Sequence, residues 1–238
     1  MPMLPGFDLD VSATPLRRIN TRGRVRPTGS FASRKMGRRL PWESSHELAW
    51  LQRAELDPGV TAFYVQGFSI QLSVDSRDRS YIPDGIAVRH GRAEVHEVKP
   101  DADAATDEVR ALTIAAACHL TLRGATYGFA LASSLKAVPV YANMQDVLRR
   151  LHRRVPDALA RRFVAEAQDA GPLPVAVLAR MVTHLGGAPE DILALVARGR
   201  LRMDLERSVT IKAPVWAPEA FPNPAPILLP PIAPGRLP

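Results

Sequence analysis

Hydrophobic and polar positions alternate with a period of two over two short segments near the middle of the chain. These are residues 81 to 90 (YIPDGIAVRH) and 92 to 99 (RAEVHEVK), which are rich in β-branched residues and are separated by the turn signal His90-Gly91. The pattern predicts a β-hairpin. Because strand side chains point alternately to opposite faces, it also predicts which residues share a face.

Three charged residues lie on the apolar faces of this predicted hairpin. Asp84 shares its face with Ile82, Ile86 and Val88, and Glu97 and Lys99 share theirs with Ala93 and Val95. An unpaired ionised group buried on such a face costs several kcal/mol. Two facing acids raise that cost, and a divalent cation removes it. The alternative is a salt bridge between Lys99 and one of the acids that simply closes the hairpin.

The residue types suit a metal-dependent nuclease. Mg²⁺ or Mn²⁺, as one or two ions, takes oxygen ligands, and the carboxylates of Asp84 and Glu97 and the backbone carbonyl of Val98 are candidates. A bound ion polarises a phosphodiester and lowers the pKa of a bound water. Lys99 is placed to orient that water or to stabilise charge that develops on the phosphate.

A third candidate acid lies upstream, in a segment with helical periodicity from residue 41 to 55 (PWESSHELAWLQRAE). Glu43 and Glu47 are four residues apart and therefore share one face of this predicted helix. Glu43, near the helix start, is favoured there by the helix dipole alone. Glu47 lies one turn further in and is the preferred metal ligand, with Glu43 as the second choice.

Downstream of Lys99, an Ala-rich helix is predicted from residue 101 to 122 and a strand from 126 to 132. The helix is expected to bury a face formed by Ala111, Ile114, Ala115, Cys118 and Leu122. The order is then helix, about three antiparallel strands, helix, strand. This predicts an α/β fold in which a mixed sheet is flanked by helices.

The composition changes near Pro139, where a smaller helical domain is predicted to begin. Helical segments are expected at 141 to 170, 173 to 185 and from Ala188 on, followed by an alternating hairpin at 201 to 212. Helix, turn, helix and β-wing is the order of a winged-helix domain. Either DNA binding or protein docking is consistent with it.

The positive charge of the chain is local. The net charge is +7, and residues 14 to 40 contain nine basic residues and no acid. These are Arg17, Arg18, Arg22, Arg24, Arg26, Arg34, Lys35, Arg38 and Arg39. The cluster predicts an arm that contacts phosphates, with Arg34, Lys35, Arg38 and Arg39 as the DNA-binding candidates. The alternative is a solvated, disordered tail.

The last 26 residues, from Ala213 to Pro238, contain nine prolines and few charges. They are predicted to be extended and to act either as a docking tail for a partner or as simple disorder. No apolar run suggests a membrane span, and no secretion signal is evident at the N-terminus. The single cysteine, Cys118, argues against a disulfide within the chain, and the histidines His46, His96 and His119 are expected at the surface or the core edge.

A series of short motifs strengthens the nuclease interpretation. In chain order they are Ser33-Arg34-Lys35-Met36-Gly37-Arg38, Trp42-Glu43-Ser44-Ser45-His46-Glu47, Glu55-Leu56-Asp57-Pro58-Gly59-Val60, Tyr64-Val65-Gln66-Gly67-Phe68, Pro83-Asp84 and Glu97-Val98-Lys99. Over roughly residues 20 to 135 this order resembles the TnsA-type transposase endonucleases, which belong to the PD-(D/E)xK, restriction-endonuclease-like superfamily.

The resemblance implies a restriction-endonuclease-like nuclease domain with Glu47, Asp84, Glu97 and Lys99 in its active site, followed by a winged-helix-like domain. It implies a Mg²⁺-dependent DNA endonuclease that nicks double-stranded DNA at the 5′ ends of a mobile element in the bacterial cytoplasm, associated with the nucleoid. The implied partners are a DDE transposase and an AAA+ regulator, the latter through the Pro-rich tail.

The predicted organisation is a flexible basic arm (1–32), a nuclease domain (33–139), a winged-helix-like domain (140–212) and the Pro-rich tail (213–238). Two other functions remain open. One is a standalone restriction- or resolvase-type nuclease of the same superfamily. The other is a non-catalytic scaffold that binds DNA or a partner.

Overall fold

The computed structural model describes residues 6–17, 27–74, 77–218 and 226–236. The chain divides into two compact units. The first comprises Met1–Glu55, Gly59–Lys136 and Leu228–Pro238, and the second comprises Leu56–Pro58 and Ala137–Ile227. Four of the basic residues of the predicted arm (Arg18, Arg22, Arg24 and Arg26) and part of the Pro-rich tail, including Phe221, lie outside the described residues.

The first unit is a mixed α/β structure, as the sequence predicts. Its elements in chain order are β1 (Gly29–Ser33), β2 (Arg38–Trp42), α1 (Ser45–Leu56), β3 (Val60–Val65), β4 (Ile70–Val74), β5 (Arg77–Tyr81), β6 (Gly85–Arg89), β7 (Arg92–Lys99), α2 (Asp101–Ala104), α3 (Asp107–Thr121), β8 (Ala125–Leu131) and α4 (Ala132–Leu135). The central sheet has the order β3-β6-β7-β8, and β1–β2 and β4–β5 form separate hairpins. Only β7 and β8 pair in parallel within the central sheet, because α2 and α3 connect them.

The β6–β7 hairpin confirms the strongest prediction from the sequence. His90 and Gly91 both have positive φ, 48° and 77°, as a two-residue type I′ turn requires. The first strand is shorter than predicted, however, because Tyr81 ends β5 and β6 begins only at Gly85. Pro83 lies in this corner and has no N–H to donate to a strand partner.

Helix α1 packs on one face of the central sheet through buried side chains that include Trp50 and Leu51. It begins at Ser45, four residues later than expected, because Pro41 and Trp42 pair in β2. The Trp50 ring meets the His96 ring edge-on, with centroids 5.5 Å apart. His96 is therefore fully buried, and its predicted place at the surface or core edge is wrong.

The opposite face of the sheet carries the main apolar core of this unit, against which α3 packs. The predicted 101–122 helix is broken at Thr106, which takes an extended conformation (ψ 143°) ahead of α3. The predicted apolar face is also wrong, because Ile114 and Leu122 are 49 % and 86 % exposed while Ala116 and Leu120 are buried. An Ala-rich helix has apolar residues on most sides, so its periodicity identifies the buried face poorly.

Segments near both ends of the sequence pack onto this unit. Phe7 and Val11 are buried in the main core, so residues 6–17 are not the free arm that the sequence predicts. Near the other end, Ile232 pairs with Phe129 of β8 through two backbone hydrogen bonds of 2.8 and 2.9 Å. A Cβ on Gly128 would lie 2.2 Å from the Ile232 carbonyl oxygen, so only glycine permits this close approach.

The second unit is built from helices and a small antiparallel sheet. Its elements are α5 (Val140–Leu148), α6 (Asp157–Ala170), β9 (Leu173–Pro174), α7 (Val175–Met181), α8 (Pro189–Ala197), β10 (Arg202–Met203) and β11 (Pro214–Trp216). The sheet order is β10-β11-β9. The predicted hairpin within 201–212 is thus wrong in extent. Strand β10 pairs with β11, which lies after residue 212 in the segment predicted to be the Pro-rich tail. Among the described residues, no helix is long and apolar enough to cross a membrane.

A buried carboxylate fixes the turn between β1 and β2. Glu55, in the last turn of α1, accepts a hydrogen bond of 2.6 Å from the Ser33 hydroxyl and bonds of 3.0 Å from the backbone N–H groups of Arg34 and Lys35. Hydrogen bonds to a charged acceptor are stronger than neutral ones. The sequence indicates only a basic turn here, and the structure shows that an acid organises it.

We expect Glu55→Ala to lower the free energy of unfolding by about 2–4 kcal/mol, since it leaves one buried donor and two partly buried donors without their acceptor. Urea denaturation of the purified chain measures this change. The matched control is Glu108→Ala, which removes a largely exposed acid whose contact with Arg79 is 3.4 Å long, and which should change stability by less than about 0.5 kcal/mol. Equal losses in the two variants would contradict the role of Glu55.

Candidate active site

The corner between β5 and β6 places Asp84 against the end of β7. The pairing of β6 with β7 begins at Gly85, which lies opposite His96, so the residues before Gly85 have no strand partner in β7. Strand β7 itself continues alongside β8 as far as Lys99. Asp84 Oδ2 accepts a hydrogen bond of 2.9 Å from the backbone N–H of Val98. The carboxylate thus replaces the missing strand partner, and its position is fixed by the backbone of the segment that carries Glu97 and Lys99.

Lys99 joins the two predicted acids. Its Nζ lies 2.8 Å from Glu97 Oε1 and 3.9 Å from Asp84 Oδ2. The side chains of Asp84 and Glu97 are only 13 % and 8 % exposed, and that of Lys99 is 30 % exposed. The structure therefore brings together the three hairpin residues that the sequence singles out, with one cation between two carboxylates.

The electrostatics of this trio are dominated by burial. Burial, followed by the charge of Glu97, raises the pKa of Asp84 well above its usual value, although Lys99 opposes the rise. Burial alone lowers the pKa of Lys99, but the charges of Glu97 and Asp84 outweigh it, so the pKa of Lys99 is raised overall. Lys99 therefore stays charged, and ionisation of Asp84 places a second carboxylate charge beside that single ammonium.

Glu47 lies at the first turn of α1, where it takes part in capping the helix. Its two oxygens accept hydrogen bonds of 2.8 Å from the Glu43 N–H and 3.1 Å from the Ser44 hydroxyl, and Ser44 in turn accepts the Glu47 N–H. This pattern resembles a capping box, except that the backbone N–H that Glu47 accepts belongs to Glu43, one residue before Ser44. Burial raises the pKa of Glu47, and the hydrogen bonds oppose that rise. Glu47 also adds to the charge that raises the pKa of Asp84.

The alternative helix acid, Glu43, points to different partners. It is buried, and its Oε2 accepts hydrogen bonds from Arg17 at 2.8 Å and from the Gln66 side chain at 3.3 Å. The backbone N–H of Gln66 donates to the Asp84 carbonyl at 3.1 Å. Glu43 is thus an ion-pair partner for Arg17 that also contacts the segment supporting Asp84.

Two tyrosines that the sequence analysis does not identify complete the environment of Glu97. The Tyr81 hydroxyl donates a short hydrogen bond to Glu97 Oε2 and lies 2.6 Å from the Tyr127 hydroxyl. Burial, followed by the charge of Glu97, raises the pKa of both phenols well above the usual range, so both remain protonated. No local sequence signal links the two, because they are 46 residues apart.

An open cleft of about 760 Å³ lies beside these groups. Its lining includes both helix acids, Glu43 and Glu47, together with Asp84, Val98 and Lys99, but not Glu97. Arg17 lines the same cleft, and its side chain is 55 % exposed even though it pairs with Glu43. A guanidinium at this position is suited to contact an anionic substrate such as a phosphate.

The four predicted DNA-binding residues lie elsewhere in the first unit. Arg34 and Lys35 are in the β1–β2 turn held by Glu55, and by the helical rise Glu55 is about 12 Å along α1 from Glu47. The Arg38 guanidinium donates to the Ala13 carbonyl and lies over the Tyr64 ring, and Arg39 donates to Ser30. None of the four lines the cleft, whereas Arg17 does, counting only the basic arm residues that the structure describes.

The oxygen donors at the site suit a hard divalent cation in their chemistry. Asp84, Glu97 and the backbone carbonyl of Val98 are ligands of the kind that Mg²⁺ and Mn²⁺ bind. The raised pKa of Asp84 reflects burial and a repulsion that a further cation would relieve. Within the part of the chain that the structure describes, however, no three His, Cys, Asp or Glu side chains are close enough together to hold a metal ion. Glu47 is therefore not gathered with the other two acids into one cluster.

No protein-family model matches this chain, and no curated protein matches it either. The geometry and chemistry of the site therefore carry the functional conclusion.

Proposed function

We propose that the protein is a Mg²⁺- or Mn²⁺-dependent DNA endonuclease. The observation that carries this proposal is the convergence of Asp84 and Glu97 on Lys99, with Asp84 and Lys99 lining an open cleft. Holding two buried acids around one cation has a cost in stability, and functional sites are where such costs are usually found.

The residues of the site have distinct roles in this proposal. Asp84, Glu97 and the Val98 carbonyl would hold the metal ion, and Glu47 is the further candidate ligand. When bound, the ion supplies polarisation of the phosphodiester and a water of lowered pKa. Lys99 orients the attacking water and stabilises the charge that develops on the phosphate. Arg17 contacts a neighbouring phosphate of the DNA.

The finer assignments rest on the resemblance to the TnsA-type endonucleases. We propose a restriction-endonuclease-like first unit that nicks the 5′ ends of a mobile element, with a DDE transposase and an AAA+ regulator as partners. A winged-helix arrangement of the second unit is supported by the order α6, β9, α7, α8, β10, β11. Helix α8 (Pro189–Ala197) contains no Lys or Arg, which favours protein docking over reading DNA for this unit.

The proposal is tested by nicking of supercoiled plasmid by the full chain in Mn²⁺. We expect conversion to the open circular form, inhibition by a chelator, and loss of activity in Asp84→Ala and Lys99→Ala. Activity that survives both substitutions would overturn the assignment of the active site. The family resemblance implies that cleavage depends on partners. A calorimetric titration with Mn²⁺ is therefore a second measurement, because it reports on metal binding without requiring turnover.

The two helix acids can be separated in the same assay. We expect Glu47→Gln to reduce Mn²⁺-dependent nicking by about 10-fold or more, since it keeps an acceptor for the capping box but removes the charge near Asp84. Glu43→Gln should retain activity within about threefold, because it keeps an acceptor for Arg17 and Gln66. The reverse order of the two effects would identify Glu43 as the helix ligand.

A non-catalytic scaffold is the second candidate, and one observation favours it. The oxygens of Glu47 and Glu97 already accept hydrogen bonds or ion pairs from the protein itself. This candidate predicts no heat on titration with Mn²⁺ and no effect of Asp84→Ala on DNA or partner binding. A saturable Mn²⁺ heat that Asp84→Ala abolishes would exclude it.

A further inference from the structure

The side of Glu97 that faces away from Lys99 is held by a pair of buried tyrosines. Tyr81 is the last residue of β5 and Tyr127 lies in β8, and they are 7 % and 5 % exposed. Their rings meet edge-on, with centroids 6.3 Å apart. The two hydroxyls and the Glu97 carboxylate form a continuous chain of hydrogen bonds inside the main core.

The two carboxylate oxygens of Glu97 have different partners. Tyr81 binds Oε2, whereas Oε1 lies 2.8 Å from Lys99 Nζ at the cleft side. The last torsion of a Glu side chain is broad, so a carboxylate held at one point rotates readily. A phenol that binds one oxygen through a charge-assisted hydrogen bond fixes the plane of the group. The other oxygen is then presented in one direction.

The surroundings of the tyrosines show that packing alone does not require their hydroxyls. Apart from Tyr64, the other members of the core cluster that contains both rings are apolar residues. Phenylalanine would fill nearly the same volume, and it would avoid the need to satisfy a buried polar group. The hydroxyls therefore matter chiefly for what they hold, which is Glu97.

We propose that Tyr81 is a positioning residue that orients Glu97 as a metal ligand, and that Tyr127 fixes Tyr81 in turn. This inference rests on the proposed function, because it assigns Glu97 to the metal. It adds two residues, on β5 and β8, to a site otherwise formed by the β6–β7 hairpin and the start of α1. Neither tyrosine lines the cleft, so neither is expected to touch DNA.

The test is calorimetric titration of the full chain with Mn²⁺. We expect Tyr81→Phe to weaken Mn²⁺ binding by about 10- to 100-fold, the usual effect of losing a group that orients a ligand, and Tyr127→Phe to fall at the lower end of that range. Tyr64→Phe is the matched control, since Tyr64 is also a buried tyrosine of this core, and it should bind Mn²⁺ like the wild type. Thermal unfolding of each variant in chelator shows that the fold is intact.

A second readout separates positioning from a general loss of structure. In the nicking assay, Tyr81→Phe should need about 10-fold more Mn²⁺ for half-maximal rate and should recover most of the wild-type rate at saturating Mn²⁺. If Tyr81→Phe does not fold, Tyr127→Phe carries the same two measurements.

The possible failures are distinguishable. If the wild type binds Mn²⁺ and Asp84→Asn does not, but Tyr81→Phe binds it as the wild type does, the positioning role is overturned and the proposed function stands. Weakening of equal size in Tyr64→Phe would also overturn it. If the wild type neither binds Mn²⁺ nor nicks DNA, the proposed function and this inference fall together.

Discussion

Replacing Asp84 with Asn is expected to abolish nicking while leaving the fold as stable as before or more so. The amide still offers an oxygen to the Val98 N–H, so the corner between β5 and β6 keeps its anchor. The negative charge that holds the cation is lost, and we expect the rate to fall by at least about 100-fold. Plasmid nicking in Mn²⁺ measures the rate.

The stability of the same variant gives an independent check. The pKa of Asp84 is raised in the folded protein, so its ionised form destabilises the fold at pH values above that raised pKa. The penalty disappears as the pH falls toward the usual pKa of the carboxyl, 3.8. Removing the charge removes this penalty, and thermal unfolding at pH 7 in chelator should show an equal or higher midpoint.

Asp103 supplies the control for Asp84, because it lines the same cleft but is exposed in the short helix α2. Asp103→Asn should keep nicking within about twofold, as is usual for a surface substitution. A clear loss of stability in Asp84→Asn would show that the carboxylate is structural. Full activity in that variant would show that it is not a ligand.

Replacing Lys99 with Met is expected to have the second large effect, on both activity and stability. Nicking should be lost, since no ammonium remains to orient the water or to face the phosphate. The free energy of unfolding at pH 7 should fall by about 2–3 kcal/mol, because two buried acids lose their shared cation. Breaking a fully buried pair costs more, but Lys99 is 30 % exposed.

The pH dependence identifies the cause of that destabilisation. Lys99 lowers the pKa of Asp84, so in Lys99→Met this pKa rises further. The stability lost at pH 7 should then be recovered as the pH is lowered through the raised pKa and Asp84 becomes neutral. Urea denaturation of both proteins at several pH values between 4 and 7 measures the difference, and Lys136→Met is the control. A difference that does not shrink at low pH would point to lost packing instead.

The parts of the fold that the sequence predicts are those set by local patterns. Alternation and the His90-Gly91 turn are sufficient for the β6–β7 hairpin. The end of the first strand is not local, because Tyr81 pairs with Ile70 in a separate hairpin. The buried face of α3 is also set from outside, since a helix with alanines on most sides takes its orientation from the sheet it meets.

The candidate site follows the same division. Asp84, Glu97 and Lys99 lie on one hairpin, so their meeting is predictable from strand geometry. Arg17 reaches Glu43 across 26 residues, and Tyr81 reaches Tyr127 across 46. Such contacts depend on how whole elements pack, and a single sequence carries no signal for them. The β1–β2 turn shows that a local pattern can also mislead. The charges of Arg34 and Lys35 suggest that phosphate binds beside the site, but the structure puts these residues at the end of α1 that is far from Glu47.

The pairing of Ile232 with Phe129 has a consequence for biosynthesis. The first unit takes strands from residues 29 to 131 and closes the outer side of β8 with a segment that follows the whole second unit in the chain. Until a ribosome has made about a hundred more residues, the backbone of β8 at Phe129 has no partner from this segment. A nascent chain at this stage therefore displays a strand edge that invites pairing with other chains. Slow translation of the second unit should accordingly favour aggregation, and a chaperone that shields strand edges should suppress it.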